Sequence, residues 1–130
     1  MIEYKHVAFA GRSKKWGSST ASGALSGSAP AADNTDEVGH ATHVTNIAAG
    51  NKVDGSDYYG VATGSELLMM KSDFNDGTVL LQAAAIKKYA EDNGMPWVLN
   101  MSFGSNLGPH DGSTDYDQNM DKLCGKGAIM

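Results

Sequence analysis

The sequence predicts an α/β fold, a parallel β-sheet with flanking helices, and three observations carry the prediction. Brief, continuous apolar runs, "ELLMMKS" (Glu66–Ser72) and "MPWVLNMS" (Met95–Ser102), have the length of strands buried on both faces. Helix-like segments with their own stop signals separate them. The resulting order of strand, helix, strand, helix and strand start suits parallel pairing through right-handed crossovers.

One segment ahead of these elements offers little to bury. Residues 17–36, "GSSTASGALSGSAPAADNTD", are glycine, serine, alanine and polar groups, the composition of a flexible loop. Residues 41–49 mix alanine with Val44 and Ile47 and stop at Gly50, so a short helix starts near His40. The first strand is expected over 66–72. Thr78 can cap the helix that follows, whose stripe runs through Val79, Leu80, Ala83, Ala84, Ile86, Lys87, Tyr89 and Ala90 to a stop at Gly94. The second strand is expected over 95–102, and "SNLGPHDGS" after it is a loop of turn formers. Thr114 opens a third helix that Gly125 and Gly127 stop, and the terminal "AIM" reads as the start of another strand.

At 130 residues and 13.6 kDa the chain suits one compact domain with one hydrophobic nucleus. A net charge of -5 argues against a nucleic-acid partner, since phosphate binding needs a clustered basic surface. "RSKK" (Arg12–Lys15) is the one basic cluster, and it reads as a solvated loop. With Cys124 as its single cysteine the chain has no internal disulfide and no cysteine-based zinc cluster, and the thiol reads as half-buried and structural. No run of about 18 apolar residues is present, so no membrane partner is expected.

The stretch "GHATHVTNIAAG" (residues 39–50) sets His40 and His43 three apart at a helix start. Such a pair could share a metal with Asp36 or Glu37, could be a catalytic base and its neighbour, or could be two ordinary surface histidines. The metal-protease pattern spaces its histidines four apart around a glutamate, and here Ala41 and Thr42 intervene. "DGSD" (Asp54–Asp57) is too short, and its acids too poorly spaced, for a calcium loop.

"HATHVTNIAAG" (His40–Gly50) resembles the histidine motif of subtilisin-like serine proteases, the subtilases. "YGVATGSELLMMK" (Tyr59–Lys71) is similar to the family's Gly-Val-Ala-Pro segment, and "VLNMSFGS" (Val98–Ser105) to its substrate strand. Ile2, Glu3, Tyr4 and His6 resemble the stretch that follows the family's aspartate motif. The resemblance implies a truncated subtilisin-like fold and hydrolysis of peptide bonds. It makes His40 the general base and His43 a helix neighbour with a packing or hydrogen-bonding role. Ser102, Phe103 and Gly104 then bind substrate through the backbone, with Asn75 and Gly77 on the opposite loop.

The same resemblance places the aspartate and serine of the triad outside these 130 residues, so the chain alone is expected to be inactive. It implies a peptide or protein substrate, no cofactor, and an extracellular or cell-envelope location; a structural calcium has no readable ligand set. Two positions depart from the family, which carries glycine where this chain has Ala41 and Asn46. A methyl at 41 is expected to crowd the site. An amide buried at 46 without partners would cost about 1–3 kcal/mol. The alternative is a non-catalytic module that binds peptides or itself, as a homo-oligomer, through exposed sheet edges.

Overall fold

The computed structural model describes residues 6–18, 36 and 38–130. They fall into two compact units, one holding the described residues up to Gly17 and from Asp36 to Lys71, the other Ser18 and Ser72–Met130. Composition suggested one nucleus, whereas the described residues gather into two apolar clusters, each closed by partners within its own unit.

In the first unit a 3-10 turn (Val7–Phe9) leads to strand β1 (Ser13–Ser18), helix α1 (His40–Ala49) and strand β2 (Leu67–Lys71). The imidazole Nδ1 of His6 caps the turn by accepting the Ala8 N–H at 3.2 Å. Ala8 and Phe9 are buried with Ala49, Leu67 and Met69, and Ala41 packs against this group. Core material therefore also lies ahead of residues 17–36, in a single turn too short to show a periodicity. β1 pairs with β2, so Gly17 and Ser18 belong to a strand rather than to the loop expected at 17–36. The remainder of that loop, 19–35, lies outside the described residues, as do Ile2, Glu3 and Tyr4. β2 alternates buried Leu67 and Met69 with half-buried Leu68 and Met70, matching the expectation of cover on both faces.

Arg12 corrects the reading of "RSKK" as a solvated loop. Its guanidinium donates to the carbonyls of Ala62 at 3.3 Å, Ser65 at 3.2 Å and Ala8 at 3.2 Å, and also to that of Ala49. One planar fork thus ties the 3-10 turn, the end of α1 and the loop before β2. Burial draws this group below its ordinary value, and its Nε has no partner. The crossing of residues 60–62 over the end of α1 completes the unit. The N–H groups of Gly60, Val61 and Ala62 donate to the carbonyls of Gly50, Ile47 and Ala48 at 2.9, 3.3 and 2.9 Å. Those carbonyls would otherwise lack partners at a helix end. Such close approach requires glycine, since a Cβ at Gly60 would stand 2.3 Å from the Gly50 nitrogen.

The second unit comprises helix α2 (Asp76–Asp92), strand β3 (Trp97–Val98), helix α3 (Asp115–Asp121) and strand β4 (Ala128–Ile129). Asn75, and not Thr78, is the N-cap of α2, its side-chain oxygen accepting the Gly77 N–H at 3.1 Å. The helix ends as its glycine suggested. Gly94 has φ 65°, and the Met95 and Gly94 N–H groups return to the Ala90 and Glu91 carbonyls, the Schellman pattern. Val79 and Ala83 of α2 pack on Met120 of α3, with Leu99, Met101 and Met130 at the edge of the cluster. Thr114 caps α3 as expected, accepting the Asp117 N–H at 3.1 Å. Lys87 reaches from α2 to the Leu123 carbonyl beyond α3 at 3.2 Å.

β3 and β4 run parallel, with Trp97 opposite Ala128 and Val98 opposite Ile129. The terminal "AIM" does begin a strand. β3 is shorter than the expected 95–102 because a ladder extends only as far as its partner, although the Leu99 N–H still reaches the Ile129 carbonyl at 2.9 Å. Val98 and Ile129 share one face of this pair and are 75% and 60% exposed.

Candidate functional site

His40 is the first residue of α1, and the sequence around it explains why the helix starts there. Gly39 sits at the N-cap in the left-handed region, φ 76°, and has no side chain with which to cap. Asp36 supplies the cap from outside the helix. Its Oδ1 accepts the Gly39 N–H at 2.9 Å and its Oδ2 the Thr42 N–H at 2.7 Å. Partial burial by itself pushes this carboxyl up, but the hydrogen bonds from the Thr42 side chain, the Thr42 backbone and Gly39 outweigh it and hold the group below the usual carboxylate range.

The imidazole of His40 is exposed and makes no hydrogen bond to a described residue. His43, one turn on, is exposed as well, so the expected packing or hydrogen-bonding role for its ring has no counterpart among the described residues. Both oxygens of Asp36 are taken up by backbone amides, which leaves them poorly placed to serve as the third member of a metal site with the two histidines. Among the described residues no group of three His, Cys, Asp or Glu side chains could hold a metal ion. A cavity of about 730 Å³ lies in the same unit, lined by Val7, Lys52, Tyr59 and Thr63 among others, and takes in neither histidine.

The two departures from glycine behave differently. Ala41 is half-buried and packs against the cluster of Ala8, Phe9, Ala49, Leu67 and Met69. Asn46 bears the expected cost: its Oδ1 is buried with no partner. That oxygen occupies the space a side chain at residue 50 would need, 1.9 Å from a Cβ built on Gly50.

In the second unit the structure brings the two proposed substrate-binding segments together. Ser102, Phe103 and Gly104 are exposed beyond the β3 ladder, while Asn75 and Gly77 open α2. The link is aromatic: the rings of Phe74 and Phe103 meet edge to face with centroids 5.1 Å apart. Phe74 has φ 60°, unusual for a side chain of its size, and Asp73 braces the turn by accepting the Asn75 N–H at 3.0 Å. Ser102 exchanges hydrogen bonds with Asn100, donating at 3.4 Å and receiving at 3.0 Å. Cys124 is exposed, not half-buried, since it falls in the turn after α3 with glycine following.

Sequence reasoning missed Phe74 and the capping role of Asp36. The second left a signal, an aspartate three residues ahead of a glycine N-cap that cannot cap itself.

Parallel strands bridged by a helix in one unit, with a paired strand and helix in the other, define an α/β scaffold. The family model described as the subtilase family matches residues 1–130, and the chain belongs to that family. Its fold is similar to that of the CspB protease of Clostridium perfringens, with a TM-score of 0.82 at 22% sequence identity, over 98% of this chain and 32% of that one. The chain thus spans about a third of the length of that protease. No curated protein matches the chain by sequence.

Proposed function

We propose that these 130 residues contribute the general base and part of the substrate groove of a subtilisin-like serine endopeptidase. The observation that supports this reading is the subtilase match over residues 1–130, taken with the resemblance of "HATHVTNIAAG" to the family's histidine motif and the place of His40 at the first turn of α1. His40 takes the proton of a serine hydroxyl as that oxygen attacks a peptide carbonyl, then returns it to the leaving amine. The serine and the aspartate that orients the base come from polypeptide beyond these residues, and the chain by itself does not hydrolyse peptides. Ser102, Phe103 and Gly104 pair their backbone with an extended substrate, and Asn75 and Gly77 lie on the facing loop.

A fluorophosphonate probe tests both halves of the reading. The 130-residue chain should remain unlabelled; a longer polypeptide that restores serine and aspartate should label and cleave a peptide, and His40→Ala should abolish both. Labelling of the chain alone, or cleavage indifferent to His40→Ala, would refute it. A second reading, self-association without catalysis, draws support from the exposed apolar neighbours Val98 and Ile129. It predicts concentration-dependent sedimentation that Val98→Lys abolishes.

A further inference from the structure

We propose that Asp36 is a positioning residue for His40, its carboxylate bracketing the imidazole-bearing residue by holding the amide before it and the amide two positions after it. The inference rests on the reading of His40 as the base and adds the group that sets where that base stands. A first helical residue is ordinarily the least restrained of its helix, because the opening N–H groups have no intrahelical acceptor and the turn frays. Here the N-cap is Gly39, which has neither a side-chain oxygen nor a Cβ to restrict its backbone. The His43 N–H bonded to the Gly39 carbonyl at 3.0 Å closes this first turn but leaves its leading N–H groups without an intrahelical restraint.

Asp36 removes that freedom at two points. The bond from Gly39 N–H at 2.9 Å holds the Val38–Gly39 peptide, one residue ahead of His40, and the bond from Thr42 N–H at 2.7 Å holds the Ala41–Thr42 peptide, one residue beyond it. Two bonds to one planar carboxylate restrain the backbone on both sides of His40, and its negative charge suits the positive end of a 10-residue helix. The imidazole has no hydrogen-bond partner of its own among the described residues. Where the ring stands within its own unit therefore depends, apart from rotation about its own side-chain bonds, on the backbone that carries it.

The test uses the full chain, labelled with carbon-13 and nitrogen-15, as wild type, Asp36→Asn and Asp36→Ala at one fixed pH. Asp36→Ala should speed exchange of the Thr42 amide about five- to tenfold and move the His40 ring signals toward those of an unstructured histidine. The ring of His110, in the other unit, should stay in place. Asp36→Asn keeps one acceptor oxygen and should give a smaller displacement of the same signals. Loss of Thr42 protection with the His40 ring unmoved would reduce Asp36 to a structural cap and overturn the proposal, as would no change in either. Should the alanine variant not fold, the asparagine variant decides by the same two signals. Because the readout is the imidazole and not hydrolysis, it separates this proposal from the assignment of His40 as base, which the complemented cleavage assay judges.

Discussion

Arg12→Met should destabilise the first unit by about 3 kcal/mol. The guanidinium serves four carbonyls, but they do not weigh equally. The Ala8 oxygen also accepts the Asn51 N–H at 2.8 Å, and the Ala62 oxygen accepts both the Ser65 N–H and its hydroxyl, so these two keep a partner when Arg12 is lost. The Ala49 and Ser65 oxygens lose theirs. An orphaned buried acceptor costs about 1–3 kcal/mol, and water reaches this partly exposed cluster, which places the pair in the lower half of that range, about 3 kcal/mol together. Methionine preserves the aliphatic stem and so isolates the hydrogen bonds. Arg12→Lys, with one nitrogen in place of a fork, should cost about half as much.

Native-state hydrogen exchange reads this best, because it reports on each unit separately. The amides of Asn51 and Leu67, bonded to Ala8 and Arg12 carbonyls, should exchange about a hundredfold faster in Arg12→Met, the equivalent of about 3 kcal/mol. Those of Met95 and Trp97 in the second unit should hardly change. A change of less than threefold at Asn51 and Leu67 would refute the reasoning.

Gly60→Ala should unfold the first unit or cost more than about 3 kcal/mol, since its Cβ would meet three backbone atoms within 2.6 Å, checked by loss of Asn51 amide protection. Gly94→Ala, at φ 65°, should cost about 1–2 kcal/mol in urea unfolding of the second unit, by forcing an L side chain into the left-handed region. Asn46→Ala should stabilise the first unit by about 1 kcal/mol, because it removes an unpartnered buried oxygen and raises helix propensity; a measured loss of stability would count against that account. The carboxyl of Asp36 is held down in the folded state, so its contribution is fully present above the unfolded carboxylate value of about 3.9 and is lost as pH falls through the lower folded value. Thr42 amide protection should accordingly stay flat from pH 7 to 5 and decline below about 4, and Asp36→Asn should remove that decline.

Most of the helical framework was legible because each helix carries its own chemistry in short range: Gly50 after α1, the Schellman glycine at 94 after α2, Thr114 before α3. The parallel pairing of the terminal "AIM" followed from element order alone. What remained illegible depends on partners distant in the chain. Nothing local distinguishes Arg12, with acceptors 37 to 53 residues away, from the lysines beside it. Ala8 and Phe9 are core only because α1 and β2 close over them. The candidate site divided in the same way: the histidine motif points to His40 from the sequence, while the meeting of Phe74 with Phe103 joins residues 29 positions apart and has no signature in either segment.

The two places where glycine gives way to a larger residue bear on how much precision α1 retains. If the demand on the helix were relaxed, both substitutions should disturb the surroundings of His40. Neither does so directly. The Ala41 methyl turns into the cluster of its unit, where it adds apolar contact, and the cost at Asn46 falls on the far end of the helix, beside Gly50 and the crossing at Gly60. The opening turn keeps two short N–H hydrogen bonds to one carboxylate. Strain is therefore tolerated at the end of α1 that Arg12 and residues 60–62 already clamp, and excluded from the end that carries the imidazole. On the proposed reading of His40 as the base, that asymmetry leaves the imidazole-bearing end undisturbed, and fraying confined to the 46–50 end in Asn46 variants, with the His40 ring unmoved, is the pattern it requires.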